Sequence, residues 1–321
     1  MMKNRIDGVL LLDKPVGITS NGALVRAKRA YGAAKAGHTG TLDPLASGLL
    51  PICFGEATKF ASDLLTANKR YMATVALGQV TTTGDAEGEV IQTLPVSVDG
   101  ASIETALSTL RGEIQQIPPM HSALKRDGKP LYAYARAGLT LTRDPRTVSI
   151  YDLTLVASAQ NSLTLDVTCS KGTYIRVLAE QIGAALGCGA HLASLRRTSV
   201  GVLSLTQAVT LDTLEAMQPE GRLSALLPSD SLLQSLPRID LDQDATTRFR
   251  HGQCIAVALS HPLGRVRVYG SGIEGVGLLG TAQLGDQGAL MPLRLVAESH
   301  FPAQETGSTV PRAKFHSEKG E

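Results

Sequence analysis

Apolar and polar residues recur along this chain with spacings that predict its elements. Residues 8–12 form a continuous apolar run bounded by Asp13-Lys14-Pro15, the pattern of a short buried strand. Ser20 or Asn21 is placed to cap a helix running to Ala30, with Leu24 on one face and Arg26, Lys28 and Arg29 mostly on the other. Across residues 70–77 the pattern alternates, so Tyr71, Ala73, Val75 and Leu77 share one face of a strand. Ser102 is placed to cap a helix carrying Ile103, Leu107 and Leu110, with Gly112 as its stop. Residues 147–156 and 163–169 read as two arms of a hairpin joined through Ala159-Gln160-Asn161. A helix is expected over residues 174–186, with Leu178, Ile182 and Ala185 inward and Gly187 ending it. Strands outnumber helices and mostly follow one another. The expectation is an α+β domain with a mixed, largely antiparallel sheet and flanking helices.

Two stretches depart from the packed pattern. Residues 118–147 interleave Lys125, Arg126, Lys129, Arg136, Arg143 and Arg146 with Tyr132 and Tyr134. Cations beside aromatic platforms suit RNA backbone and exposed bases; a long surface loop with a short helix has the same composition. Near Pro237 a second boundary is expected, followed by short β-like runs joined by glycine-rich turns, as in a small β-barrel. The expected divisions are 1–237, 238–300 and a polar tail, 301–321, without periodicity and expected to be disordered.

Composition narrows the class without naming it. With 321 residues, 43% hydrophobic and 19% charged, the chain is an ordinary globular protein long enough for two domains. No apolar run approaches the length that spans a bilayer and no signal-peptide pattern opens the chain, so a cytoplasmic protein without membrane attachment is expected. The four cysteines form no C-x-x-C pair and the seven histidines lack ligand spacing, so no metal is expected. The net charge of +2 hides an uneven distribution. Residues 1–80 carry ten Lys/Arg against five Asp/Glu, as do residues 121–200, whereas 81–120 carry one against six. The basic segments fit a polyanionic partner, and ordinary clumping on a solvated surface gives the same count.

Candidate chemistry concentrates in Gly37-His38-Thr39-Gly40-Thr41-Leu42-Asp43-Pro44, continued by Leu45-Ala46-Ser47-Gly48. Glycines admit positive φ and close approach of a ligand. Pro44 pushes Asp43 out of the helical region and orients its side chain. A lone acid on a rigid loop is how a nucleophile or base is presented; an Asp-Pro turn bonded to its own backbone has the same local sequence. Thr39 and Thr41 are expected to hold the loop through side-chain to backbone bonds. No phosphate-cradling or dinucleotide-binding glycine loop accompanies it.

Further motifs stand around this loop: Gly8-Val9-Leu10-Leu11-Leu12-Asp13-Lys14-Pro15-Val16-Gly17-Ile18-Thr19-Ser20 before it, and Lys69-Arg70-Tyr71, Ser170-Lys171-Gly172-Thr173-Tyr174-Ile175-Arg176, Leu186-Gly187-Cys188-Gly189-Ala190-His191-Leu192 and Leu195-Arg196-Arg197 after it. In this order and at these separations they resemble the TruB family, the bacterial tRNA pseudouridine-55 synthases. The match runs from about residue 8 to about residue 200, with weaker likeness to about 297. The resemblance implies the pseudouridine synthase fold with a small C-terminal PUA-type domain. It implies isomerisation of a T-loop uridine in tRNA: the N1–C1′ bond breaks, uracil turns, and C5 joins C1′. That reaction transfers no electron and loses no group, so no cofactor is expected.

The resemblance also distributes roles. Asp43 matches the nucleophile or base, Arg176 the arginine that pairs with this aspartate as a buried carboxylate requires, and Tyr71 the tyrosine that stacks on the target base and accepts the C5 proton. His38 matches a residue beside the extruded base, Tyr174 and Leu195 match pocket walls, and Lys14, with Pro15, matches a brace for the loop. Residues 118–147 match an RNA-gripping insertion with Lys125 and Arg126 on phosphates, and Asp85 matches a contact to the flipped nucleotide or its neighbours. The expected partner is the T-arm stem-loop of tRNA, met by a monomer needing no protein partner. Where relatives commonly carry Arg, Asp and an acidic residue, this chain has Val80, Thr82 and Gln181. Those differences bear on RNA contacts and helix packing. Alternative readings are a tRNA-binding or tRNA-folding protein, a synthase of the same fold acting on another RNA, and a glycoside hydrolase, which needs a second carboxylate.

Overall fold

The computed structural model describes residues 4–258, 262–272 and 275–297. The tail expected at 301–321 lies outside them. The chain divides into two compact units, Met1–Ser235 and Leu236–Glu321.

The first unit is built on an eleven-stranded sheet. Its principal strands are β1 (Gly8–Lys14), β2 (Ala36–His38), β3 (Ala46–Phe54), β4 (Lys69–Leu77), β5 (Gly112–Gln116), β6 (Arg146–Ala159), β7 (Ser162–Cys169) and β8 (Ala190–Val200). From one edge the order is Val209–Thr210, β1, β3, β8, β4, β7, β6, β5, with β2 added on β3. Pairing along this path is antiparallel except at the Val209–Thr210 edge and between β3 and β8. The parallel β3–β8 pair aligns Ala46, Ser47 and Gly48 with Leu195, Arg196 and Arg197. Chain segments distant in sequence thus meet at the sheet centre, and the candidate loop precedes that junction.

Three helices cover the sheet: α1 (Ser20–Tyr31), α2 (Gly100–Thr109) and α3 (Ile175–Ala185). Ile103 and Leu107 of α2 pack with Leu178, Ala179 and Ile182 of α3 against Ala73, Val75 and Leu77 of β4. On α1, Ala23, Ala27 and Tyr31 pack on Leu10, Leu12, Leu50, Ile52 and Phe54. Each large aliphatic side chain removed from water contributes about 1.5–3 kcal/mol, which makes these two clusters the main support of the site.

Helix starts differ from expectation for a hydrogen-bonding reason. Thr19 caps α1 by accepting from the Gly22 amide at 3.0 Å, while Ser20 turns inward to bond Leu42. The buried face of α1 is therefore Ser20, Ala23, Ala27 and Tyr31, and Leu24 is only partly covered. Asp99 caps α2, and Ser102 closes a reciprocal capping box three residues later. That helix ends at Thr109; Gly112, at φ 85°, opens β5. Residues 118–147 hold a two-residue hairpin, Lys125–Arg126 with Lys129–Pro130, and a short helix, Leu131–Arg136.

The second unit contains β9 (Arg238–Leu241), α4 (Gln243–Arg250), β10 (Ile255–Ala256), β11 (Gly264–Gly272), β12 (Gly275–Leu284) and β13 (Ala289–Leu295). Their order is β9-β11-β12-β13-β10, an open sheet around Phe249, Val266, Val268, Leu279 and Leu290. Bulges at Val268/Tyr269 and Thr281/Ala282 bend it into a half-barrel rather than a closed barrel.

Candidate active site

The loop between β2 and β3 is held from below by atoms that local sequence does not single out. Ser20 Oγ donates to the Leu42 carbonyl at 2.9 Å and accepts from the Leu42 amide at 2.7 Å. The Gly17 amide donates to the Pro44 carbonyl at 2.8 Å, and Arg197 Nη2 donates to the Gly40 carbonyl at 3.2 Å. The two threonines do not share this work. Thr39 Oγ1 is buried without a hydrogen-bond partner and Thr41 is exposed. A neighbouring helix and strand hold the loop, so its shape is a tertiary property.

On this support the Asp43 side chain remains 44% exposed. The expected buried carboxylate is instead an open one, reachable by a substrate. Arg176, in the first turn of α3, brings Nη2 to 3.0 Å from Asp43 Oδ2. The same guanidinium lies 3.5 Å from Asp85 Oδ2 through Nη1 and donates to the carbonyls of Thr83 at 3.3 Å and His121 at 2.7 Å. Arg176 is buried, so these partners fix its plane.

Asp85 sits differently from the expected RNA contact. It is 3% exposed, and its carboxylate accepts from Thr83 Oγ1 and the Glu87 amide besides facing Arg176. Burial holds the Glu87 and Glu180 carboxyls above the usual range; Asp85 pushes the same way on both, and Arg176 opposes it. One guanidinium therefore serves several acids, and only Asp43 among its two ion-pair partners is open.

The remaining candidates near the loop come from five elements. Tyr71 on β4 is partly buried; burial raises its phenol, and Arg197 opposes that shift as charge and hydrogen-bond partner. Tyr174, the residue capping α3, is also partly buried and raised by burial, with Ser122, Arg146 and Arg176 pulling it back. Leu195 on β8 aligns with Ala46 of β3 and Ala73 of β4, and so stands between the loop's end and the strand of Tyr71. Lys14 is wholly buried and donates to the carbonyls of Pro15 at 2.8 Å and Ile18 at 2.7 Å. Burial brings its amine down to about 8, although Asp43 and Glu87 pull it up. His38 at the end of β2 is lowered by burial and by the Arg197 charge, and its Nδ1 is buried without a partner.

Lys125 and Arg126 stand apart from this cluster, exposed on their hairpin, with Arg126 Nη1 donating to the Thr142 carbonyl. A cleft of about 800 Å³ opens beside that insertion, lined among others by Thr83, His121, Leu139, Arg143 and Glu180; Asp43 and Tyr71 are not among its walls. The sequence reading gave no role in the site to Ser20, Glu87, Glu180 or Arg197, although Ser20 and Arg197 stand in its motifs. For Arg197 a signal existed: it follows Leu195 by two in a strand and so shares its face. The chemistry on offer is an accessible carboxylate paired with a buried arginine, near a tyrosine.

Comparison with known proteins extends over nearly the whole chain. Residues 28–175 match the family model for the TruB family pseudouridylate synthase N-terminal domain. Residues 176–234 match the tRNA pseudouridylate synthase B C-terminal domain, and 237–296 the C-terminal model of pseudouridine synthase II TruB. The chain is 58% identical over 302 residues to tRNA pseudouridine synthase B of Burkholderia mallei, covering 92% of this chain and 99% of that protein. It is 56% identical over 297 residues to that of Ralstonia nicotianae, covering 91% and 94%. Among solved structures, a Cbf5-Nop10-Gar1 complex matches with TM-score 0.69 and 27% identity, covering 90% of this chain and 84% of the other. An archaeal box H/ACA sRNP Nop10-Cbf5 complex matches with TM-score 0.67 and 26% identity, covering 90% and 85%.

Proposed function

The chain belongs to the TruB family of pseudouridylate synthases, and we propose that it converts the T-loop uridine at position 55 of tRNA to pseudouridine. The observation that carries the reading is the half-open Asp43 carboxylate held at 3.0 Å by the buried Arg176 guanidinium.

The proposed sequence begins with extrusion of the target nucleotide, at a cost of a few kcal/mol. Asp43 then attacks C1′, or removes a proton from the sugar, as the N1–C1′ bond breaks and uracil leaves as an anion. Arg176 holds Asp43 in one orientation through their ion pair. Uracil turns in a space bounded by Tyr71, Tyr174 and Leu195, and C5 bonds to C1′ as the Asp43–C1′ ester breaks or, on the other route, as Asp43 returns the proton to the sugar. Tyr71 receives the C5 proton. His38 lies beside the extruded base, Lys14 braces the loop, and Asp85 acts through Arg176.

Binding outside the pocket is assigned to residues 118–147, with Lys125 and Arg126 on phosphates, and to the half-barrel after Pro237 as a PUA-type RNA-binding domain. Action on the T-arm by a monomer, without guide RNA or protein partner, fits identity of 56–58% to tRNA pseudouridine synthase B against 26–27% to members of the Cbf5 complexes. A tRNA substrate assigns the protein to the cytoplasm.

The test is tritium release from a T-arm stem-loop carrying [5-³H]uridine at the target position, wild type beside Asp43→Asn. Release by wild type alone, with equal RNA affinity in both, is the expected result. Retained release by Asp43→Asn refutes the role of Asp43. No release by wild type despite tight binding moves the protein to tRNA folding or another RNA target.

A further inference from the structure

Arg197 carries a charge that neither the reaction outlined above nor the ion pairs of the fold employ. It is 1% exposed, and among the described residues no carboxylate lies within ion-pair range of it. Its bonds go to carbonyls, Nε to Leu49 at 2.7 Å and Nη2 to Gly40 at 3.2 Å. A buried cation without an anion is costly to keep and its field is poorly screened. In the sheet its Cα partners are Gly48 of β3 and Tyr71 of β4. Directly opposed residues of an antiparallel pair present their side chains on one face, so the guanidinium and the phenol are neighbours. Two glycines of the loop motif answer to the same residue: a Cβ on Gly48 would overlap the Arg197 backbone, and one on Gly40 would stand 3.7 Å from Arg197 Nη1.

We propose that Arg197 is a positioning residue for the isomerisation, its buried guanidinium serving as counter-cation to Tyr71 beneath the Asp43 loop. The inference rests on the reading of Tyr71 as acceptor of the C5 proton. After C5 has bonded to C1′, the C5–H bond breaks and its proton passes to the phenolate oxygen of Tyr71. The C–H electron pair forms the C5=C6 double bond, and the C6=N1 pair moves to N1, which takes a proton from water. A neutral phenol cannot accept that proton, and burial alone would keep Tyr71 neutral. Arg197 opposes that shift without reversing it, which brings the phenolate nearer.

The experiment compares wild type, Arg197→Met, Arg197→Lys and Tyr71→Phe on a T-arm stem-loop carrying hydrogen or deuterium at C5 of the target uridine. Single-turnover rates, RNA affinity and the C5 isotope effect are read. Arg197→Met is expected to bind RNA within about threefold of wild type, to react about a hundredfold more slowly, and to show a larger isotope effect, because proton transfer contributes at least that much. Arg197→Lys keeps the charge but loses the fork to two carbonyls, and is expected within about tenfold of wild type. A wild-type rate in Arg197→Met overturns the proposal. Equal losses in the Met and Lys variants with an unchanged isotope effect also overturn it, since the role would then be loop support. Should Arg197→Met not fold, Arg197→Lys decides by the same rate and isotope effect. An undiminished single-turnover rate in Tyr71→Phe refutes instead the reading of Tyr71, whatever Arg197 does.

Discussion

The ground beneath Asp43 and the insertion at 118–147 are both rich in cations, and they hold them in opposite ways. Lys14, Arg176 and Arg197 are buried, and each donates to two backbone carbonyls. Lys125, Arg126, Arg136 and Arg146 are exposed, on two-residue strands, a six-residue helix and the first residue of β6. Sheet register and packing fix the first group to one geometry, as bond-making at C1′ demands. For the phosphate contacts proposed above, the second group needs only charge within reach, and long side chains on a lightly anchored segment suffice. The two regions touch where Arg176 donates to the His121 carbonyl, so the Asp43 site is seated against the base of the insertion.

The sharpest way to break the contrast is at Arg176. Arg176→Ala leaves Asp85 buried without its cation, so unfolding free energy should fall by about 3–5 kcal/mol and turnover by about a thousandfold. Adding Asp85→Ala should restore much of the stability in a urea titration and none of the turnover. Recovery of both would mean that Arg176 only balances Asp85.

Lys14 supplies a test through pH. Its folded value, about 8, lies below the ordinary 10.5, so folding releases a proton between those values and stability rises with pH across that window. The stability of wild type relative to Lys14→Met should therefore increase by about 3 kcal/mol from pH 8 to pH 10.5. A difference that stays level across the window would show Lys14 to be ordinary.

A smaller effect is expected at Ser20. Ser20→Ala strands the Leu42 amide, at about 1–3 kcal/mol, and should slow turnover about tenfold by loosening Asp43. Thermal melts and single-turnover rates check both numbers, and Thr41→Ala should change neither.

The smallest effect belongs to the insertion. Lys125→Ala with Arg126→Ala should weaken RNA binding about three- to tenfold and flatten the salt dependence by about two phosphate contacts, leaving turnover at saturating RNA untouched. A loss in turnover at saturation would erase the division between the two regions.

Sequence alone determined β1, β4, the hairpin of β6 and β7, the helix at α3 and the loop around Asp43, because periodicity, turn residues and glycines act over a few positions; it did not mark β3, β5 or β8. It also brought forward Asp43, Tyr71 and Arg176, which stand in motifs of their own. Helix starts were less legible. Ser20 and Asn21 are the expected caps, and only the loop above decided that Ser20 turns inward and that Thr19 caps α1. Tertiary structure alone decided that Asp43 is open while Asp85 is buried, since burial depends on what packs over a residue and not on its neighbours in sequence. It likewise decided that the loop hangs from Ser20, Gly17 and Arg197 rather than from its own threonines. The β3–β8 pairing that brings Gly48 to Arg197 joins strands with no shared turn, and hydrogen bonding across a sheet leaves no local mark on either one.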